Sequence, residues 1–537
     1  MNSTVYDSTR KIKLIIMNYP DYWRLFIIVS LSSFVLLWGL GQGSLMDWDE
    51  AIYAQVSKEI INSGNWLELH YGYEPYFRKP PLFMWTTALL YRIFGINEFW
   101  ARAGSAFSGI LLIIVTYFVG KLIYDRRVGI LAALTLLSSY EFIWGSRFGT
   151  MDVMLTLFIF VAIYAYLRLR DSSSKWWYLF WVSFAFAFMV KSMAAVVVLP
   201  AILLALLFER RMTLTIHSKN FWLGVFLAFA MITPWHLLMY FKFGKPFIDD
   251  YFLYQIYTRT IRAIEGHVGG PLYYVNALQR LFLPWFYLTL FAIALCIREN
   301  IRAKSRSLIL LLLIGAIVGI YTFIVNTKLT WYIMPVYPVF AILIGSLIVQ
   351  AQKSYQSIAF AGLLSSVLLS ALIAQTKLLY FAIIIGLLIM VAKKLRLVSE
   401  QRTNQIVVFG IFVLMALISF GSAIRLYGLD ESPAAAIGKI IHNSTSDHRE
   451  PLIILYLPED IGTIYRVMGP TTQFYSNRPR RMARDMEKLV KLTNDGEVKE
   501  IVFADKYVKN LSEDYDIKIL AKVSPLVYAK IKKYDNP

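Results

Sequence analysis

Residues 24–54 read RLFIIVSLSSFVLLWGLGQGSLMDWDEAIYA: a run, 24–42, whose one charge is Arg24, and then Asp47, Asp49 and Glu50 within four positions. An apolar run of this length spans the hydrocarbon layer of a bilayer as a helix. Carboxylates directly beyond its end are costly beside lipid unless they pair or work. Similar runs recur at 101–123, 128–146, 150–169, 176–190, 191–208, 220–241, 280–297, 308–325, 333–350, 357–375, 378–392 and 405–426, about thirteen spans in all. With 58% hydrophobic and 17% charged residues over 537 positions, the chain departs from soluble domains, which are near one half apolar and one quarter charged. It reads as an all-α polytopic membrane protein.

The net charge of +19 would suggest a nucleic-acid partner in a soluble protein. Residues 427–537, however, hold 17 basic and 16 acidic side chains, so nearly all the excess lies in the membrane portion, and no nucleic-acid partner is expected. The excess is one-sided. With the N-terminus in the cytoplasm, 22 Lys and Arg fall on short inner segments such as Arg126-Arg127, Arg210-Arg211 and Lys393-Lys394, against Arg147, Lys191, Lys328 and Lys377 on short outer turns. That is the positive-inside bias. The expected location is an integral protein of the cytoplasmic or inner membrane of a prokaryote, the first helix retained. Cys296 is the sole cysteine and excludes an intrachain disulfide.

Two segments predicted outside, 43–100 and 242–279, are too long to be turns, and long loops on one face of a bundle carry function. The division expected is a transmembrane domain, 1–426, bearing these loops, and a small extracytoplasmic α/β domain, 427–537. In the latter, Leu452–Leu457, Glu500–Ala504, Ile517–Val523 and Leu526–Ile531 read as strands, and Pro433–His442 and Arg484–Thr493 as helices. It holds no phosphate loop or metal-ligand cluster, and reads as a cap on the bundle.

In the first long loop, Ile52, Val56 and Ile60 at a spacing of four predict an amphipathic interfacial helix over 50–62. Asp49 is then either its N-cap or a working carboxylate. Farther on, Tyr76-Phe77-Arg78-Lys79-Pro80-Pro81 ends one element and opens the next, holding Lys79 at a helix entrance. Cations and a Tyr hydroxyl there suit a lipid phosphate, although interfacial anchors use the same residues. Asp152, the sole acid between Glu141 and Asp171, is an intramembrane carboxylate with Arg147 as its expected partner. The turn Asn326-Thr327-Lys328-Leu329-Thr330-Trp331-Tyr332 brings Lys328 and Tyr332 to the same depth.

Taken in order, Asp49-Glu50 with Tyr53-Ala54, Tyr76-Phe77-x-Lys79-Pro80-Pro81, Asn97-Glu98-Phe99-x-Ala101-Arg102, Asp152 and Lys328-Leu329-x-x-Tyr332-x-x-Pro335 resemble the aminoarabinose lipid A transferase and protein O-mannosyltransferase superfamily of GT-C membrane glycosyltransferases, over most of 20–350. The resemblance implies a GT-C fold and a polyprenyl-phosphate sugar donor taken from the outer leaflet. It implies Asp49 as catalytic carboxylate beside Glu50, with Asp152 supporting the site. Lys79, Tyr76 and Tyr332, joined by Arg78 and Lys328, would hold the donor phosphate. The acceptor would be a lipid, a glycan or a protein.

The sequence departs from the aminoarabinose branch at three places. Ile52 stands where that branch has Arg, Arg78 where it has a zinc-binding Glu, and His267 is left without a second His. Zinc needs three or four ligands, so no metal set is assigned, no cofactor is certain, and a divalent metal stays open without the zinc ligands of that branch. In place of the metal, Arg78 is expected to pair with Glu265, or else Glu74, and so link the two long loops. Two rivals keep some of these residues for other ends. A secondary transporter would place its charges near the midplane in two related halves, and a non-catalytic polyprenyl-lipid-binding protein would have no use for Asp49.

Overall fold

A computed structural model of the chain describes residues 22–170, 173–264, 266–302, 305–353, 362, 363, 365, 400–427, 430–444, 450–455, 469–493 and 497–534. It is mostly helical. Among the described residues, five helical segments are long and apolar enough to cross a membrane: Glu98–Ile123, Asp152–Leu169, Trp176–Phe208, Lys219–Phe243 and Gln405–Ala423. Two bent pairs, Arg126–Ser138 with Tyr140–Arg147 and Tyr273–Leu281 with Trp285–Arg302, raise the number to seven if each is one span. Shorter apolar helices occupy Tyr22–Leu37, Leu82–Phe94, Leu308–Ile324 and Val336–Ala351. The chain is an integral membrane protein. The expected spans at 357–375 and 378–392 lie outside the described residues, apart from three positions in the first.

The helix starts are written locally. Asn97 accepts from the backbone N–H of Trp100 at 3.0 Å and caps Glu98–Ile123; Asp125 does the same for Arg126–Ser138 through Val128 N at 3.0 Å. Where the sequence reads two spans meeting at Lys191, the helix Trp176–Lys191 passes into Val198–Phe208 through a 3₁₀ stretch, Ser192–Val197. Few turn-forming residues separate the two halves, so the chain stays helical and breaks only at Ser192, whose φ is 38°. Backbones approach closely where glycines allow it. A Cβ on Gly129 would stand 2.5 Å from the carbonyl oxygen of Tyr117, and one on Gly345 2.8 Å from that of Val128. Small residues give membrane helices this kind of contact.

The helix predicted over 50–62 runs Asp49–Ser63 and ends at Gly64, whose φ of 70° lets its N–H reach Ile60 O at 3.0 Å. It is not an interfacial ribbon with one wet face. Gln55, Ser57 and Glu59 on its polar side are buried too, because Leu82–Phe94 packs on one side and a short helix, Pro470–Ser476, on another.

Beyond residue 430 the chain builds a five-stranded sheet in the order Arg480–Ala483, Leu452–Leu455, Lys499–Ala504, Leu526–Lys533, Tyr515–Val523. The first three strands are parallel and the last two join antiparallel, with Leu452 opposite Arg480, Ile453 opposite Ile501 and Val502 opposite Tyr528. Helices Pro433–Ser444 and Met486–Thr493 accompany the sheet over a core that includes Ile454, Leu455, Phe503 and Val527. The strand at 480–483 and the helix at 470–476 are additions to the expected elements. Arg480-Arg481 gives no apolar alternation to read, and a seven-residue helix is too short for a periodic signal.

Candidate functional site

Asp49 is the first residue of its helix, and Trp48 occupies the cap position without a side-chain cap bond. The Asp49 carboxylate accepts no hydrogen bond from any described residue, so the capping role is not the one it plays. Trp48 holds φ 69° and ψ −124°, a strained backbone for a residue with a Cβ. The turn thus brings Asp49 onto the helix at a cost, and leaves its side chain partly exposed and unengaged.

Glu50, one residue on, is the opposite. Its carboxylate accepts from Arg102 Nε at 2.8 Å, Gly149 N at 2.9 Å and Met46 N at 2.7 Å, and the Glu50 and Arg102 side chains are 2% and 1% exposed. Arg102 also donates to the carbonyls of Leu40, Gln42 and Ser44. Glu50 therefore ties the first long loop to the helix Glu98–Ile123 and to the turn at Gly149, with its lone pairs taken up by these donors. The catalytic expectation for it gives way to a positioning one.

Lys79 arrives through a small device. Gly72 and Tyr73, both at positive φ, turn a hairpin between His70–Tyr71 and Glu74–Pro75, and their N–H groups donate to Glu59 at 2.9 and 3.0 Å. Tyr76 N then bonds Leu69 O at 2.8 Å, Phe77 packs edge-on against Phe243 and Phe247, and Pro81 opens Leu82–Phe94. Lys79 is left with no hydrogen-bond partner among the described residues. Its ammonium is pushed down to about 7, first by burial, then by Lys191 and Arg259, against the pull of Asp49 and Asp152. Burial first, and Asp49 next, push the Tyr53 and Tyr76 hydroxyls far up, so both stay protonated donors.

Asp152 is buried at the start of its helix and pairs with Lys191 at 2.5 Å. Arg147, its expected partner, instead donates to the carbonyls of Val35, Leu36 and Trp38 and lies 3.9 Å from the centre of the Tyr427 ring. Carbonyls left without partners at the end of the helix Tyr22–Leu37 attract a guanidinium strongly. Lys191 also lies 5.2 Å from the Tyr332 ring, and the Tyr332 hydroxyl is 3.3 Å from Arg259 NH1. Arg259 is brought there because 326–328 runs along 259–267, with Asn326 N on Thr260 O and Thr327 N on Arg259 O. It follows a π-helical stretch, Ile248–Thr258, a form that favours functional sites.

Lys328 does not join this group. Its ammonium donates to the carbonyls of Tyr321, Thr322 and Val325 at 2.7, 2.7 and 2.5 Å, which uses all three of its donors to close a helix end. Arg78 is half exposed and pairs with Asp250 at 3.7 Å, with Tyr254 under its guanidinium. The expected partner Glu265 lies outside the described residues; Asp250 belongs to the same second long loop. No group of three His, Cys, Asp or Glu side chains converges among the described residues. What does converge is Asp49, Asp152, Lys79, Lys191, Arg259, Tyr53, Tyr76 and Tyr332. Sequence does not single out Lys191 or Arg259: Lys191 is one cation in a short turn, and Arg259 is one of four in its long loop, with Lys242, Lys245 and Arg262, both on the face predicted outside.

Residues 78–238 match the family described as dolichyl-phosphate-mannose-protein mannosyltransferase. The chain is 32% identical over 270 residues, 48% of its length, to an undecaprenyl phosphate-α-4-amino-4-deoxy-L-arabinose arabinosyl transferase of Pseudomonas savastanoi, and the match spans about half, 47%, of that relative. Among solved structures, it is similar to ArnT from Cupriavidus metallidurans bound to undecaprenyl phosphate, with a TM-score of 0.72 over 95% of this chain and 98% of that one at 21% identity. It is also similar to the oligosaccharyltransferase of Archaeoglobus fulgidus, with a TM-score of 0.53 over 91% and 70% at 12% identity.

Proposed function

We propose that this chain, which has the GT-C fold, is a membrane glycosyltransferase that moves a hexose or pentose from a polyprenyl-phosphate donor to a hydroxyl of a lipid, glycan or protein. The observation that carries the reading is the contrast at 49 and 50: the buried acid is saturated by Arg102 and backbone N–H groups, while the Asp49 carboxylate has no hydrogen bond among the described residues and shares a field with Lys79. A carboxylate whose lone pairs are not taken up by neighbouring donors can accept a proton from an incoming hydroxyl; one engaged from all sides cannot.

In this reading the acceptor hydroxyl gives its proton to Asp49 as its oxygen attacks the anomeric carbon. The bond from that carbon to the phosphate oxygen breaks, and the polyprenyl phosphate leaves with the electron pair, inverting the centre. Lys79, Arg259 and the Tyr332 hydroxyl would receive the negative charge that grows on the phosphate, with Tyr76 as a further donor. The pair Lys191–Asp152 holds an ammonium against the Tyr332 ring and fixes that wall of the site. A phosphate is already a good leaving group, so no acid is required on the donor side.

The membrane arrangement proposed with it has about thirteen spans and a cytoplasmic N-terminus, with the long loops and residues 427–537 outside, as the Lys and Arg distribution supports. The donor's prenyl tail would stay in the bilayer. The Pseudomonas savastanoi relative is named for an undecaprenyl phosphate-linked sugar and the Cupriavidus metallidurans structure holds undecaprenyl phosphate, which agrees with the donor class. The test is sugar transfer by the purified chain in liposomes containing a polyprenyl-phosphate sugar. Asp49→Asn should lower turnover by about 10²–10⁴-fold while donor binding persists. Transfer that survives the substitution, or donor binding lost with it, overturns the assignment.

A further inference from the structure

The short helix Pro470–Ser476 sits on the loop that carries Asp49, and its bonds reach separate parts of that loop. Thr471 donates from its backbone N and its hydroxyl to Asp47 Oδ1, at 2.8 and 2.9 Å. The Tyr475 hydroxyl accepts from Leu45 N at 3.1 Å and donates to Glu98 at 2.8 Å. The Phe474 carbonyl accepts from Lys58 at 2.9 Å, and the Lys58 ammonium stands 4.9 Å from the Phe474 ring. Behind, the helix is fastened to Pro433–Ser444 where Gly438 has no room for a Cβ, the Thr472 carbonyl being 2.9 Å from where one would sit.

Asp47 precedes Asp49 by two residues, across the strained Trp48. A non-glycine residue keeps such a conformation only while its surroundings impose it. On the C-terminal side of Trp48 the helix 49–63 does so; on the N-terminal side the bonds at Leu45 and Asp47 do, with Met46 N on Glu50. The contact is also closed over polar atoms it does not satisfy. Asp47 Oδ2 and both amide atoms of Gln473 are buried with no hydrogen-bond partner among the described residues. Such atoms are expensive, and opening the contact to water relieves them.

We propose that the helix Pro470–Ser476 is a releasable clasp that sets the position of the Asp49 carboxylate, with Asp47 and Thr471 as positioning residues. The proposal rests on the reading of Asp49 as the catalytic base. The groups facing Asp47 are Thr471 and Arg480 from the C-terminal segment, and Tyr71, whose ring lies 4.8 Å from the Arg480 guanidinium, from the loop. Burial pushes the Asp47 carboxyl up to about 7 against the opposing effects of Thr471 and Arg480. An acid whose pKa is higher in the closed form than in the released one favours closure when protonated. The grip is therefore fullest in acid, below the ordinary carboxylate pKa, and is lost progressively as pH rises through about 7.

The experiment combines hydrogen–deuterium exchange of the full-length protein without substrate and steady-state transfer from a polyprenyl-phosphate sugar. Thr471→Val keeps the backbone donor and loses the hydroxyl; Thr471→Ser keeps both. The expected result is faster exchange over residues 45–50 in Thr471→Val, with kcat down by roughly five-fold, the scale of one hydrogen bond, and donor KM unchanged. Thr471→Ser should behave as the parent does. Asp47→Asn, neutral at every pH, should abolish the loss of protection over residues 45–50, measured as exchange relative to the intrinsic rate at the same pH, that the parent shows between about pH 5 and 7. Parent-like exchange and turnover in Thr471→Val, a rise in donor KM in place of the fall in kcat, or an unchanged pH dependence in Asp47→Asn would each overturn the clasp. Failure of the catalytic reading is seen separately, as transfer that survives Asp49→Asn, while exchange over 45–50 decides the clasp either way.

Discussion

Two neighbouring acids can serve opposite ends, and their environments decide which. Asp49 and Glu50 are chemically alike and both stand in the first turn of one helix. Only the second is closed off by a guanidinium and two backbone N–H groups. Removing one partner of a buried, saturated ion pair costs about 3–5 kcal/mol, because the other charge is left without compensation. Glu50→Ala is accordingly expected to lower the midpoint of thermal unfolding in detergent sharply, whereas Asp49→Asn should leave it in place; equal midpoints for the two would contradict the division of roles. Lys79 carries a pH dependence. Its pKa near 7 comes from burial first and from Lys191 and Arg259 next, and an arriving phosphodiester, an anion, must raise it. The bound state then holds more protons than the free state above pH 7. Donor affinity should be full below about pH 7 and fall by up to about ten-fold per unit as pH rises. Titration of a polyprenyl-phosphate sugar from pH 6 to 9 checks this, and Lys79→Ala should bind weakly with no slope. The order of motifs along the chain points to Asp49 and Lys79 as candidates. It does not point to Lys191 or Arg259, since the contacts that bring them to the same place cross the fold.

At the scale of elements, the sequence speaks where a local rule is obeyed and misleads where a side chain answers a distant need. Pro80-Pro81 opens a helix as read, and Asn97 caps one. The hairpin at 70–75 escaped because its signal is Gly72-Tyr73 alone, with the anchoring Glu59 on another element. Lys328 looked like a phosphate ligand on depth and charge, yet the helix ending at Ile324 leaves carbonyls that need donors, and Lys328 is the nearest cation. Three charge-assisted bonds to carbonyls are a structural commitment. Lys328→Met should therefore lower stability by about 1–3 kcal/mol and leave donor affinity unchanged. A fall in affinity at unaltered stability would return Lys328 to the phosphate site. The Arg78–Asp250 contact is half exposed and belongs to a different class: it joins the two long loops, but an ion pair so open to solvent adds little on its own.

For the whole molecule, composition made the membrane class plain, and the ordered motifs made the GT-C fold legible. What composition could not convey is how closely the helices are nested. Hydropathy records how apolar a run is and carries no information on which of its faces meets another helix. That information sits in single glycines. Gly120 and Gly129 meet where Glu98–Ile123 crosses Arg126–Ser138, and Gly345 brings Val336–Ala351 onto the same helix. A methyl group on Gly129 would be 2.5 Å from a backbone oxygen, so the two helices must part to admit it. Overpacking of this kind costs about 1–3 kcal/mol. Gly315, on the helix Leu308–Gly319, has nothing within 4 Å of the same point. There the change to Ala removes a glycine from a helix interior and should stabilise by up to about 1 kcal/mol. Gly129→Ala is thus expected to lower the thermal midpoint in detergent and Gly315→Ala to hold or raise it. Because Glu98–Ile123 also carries Arg102, the partner of Glu50, the Gly129 variant should lose transfer activity at temperatures where the Gly315 variant keeps it. A Gly129→Ala protein as stable and active as the parent would mean that the crossing is looser than the close approach of these backbones requires.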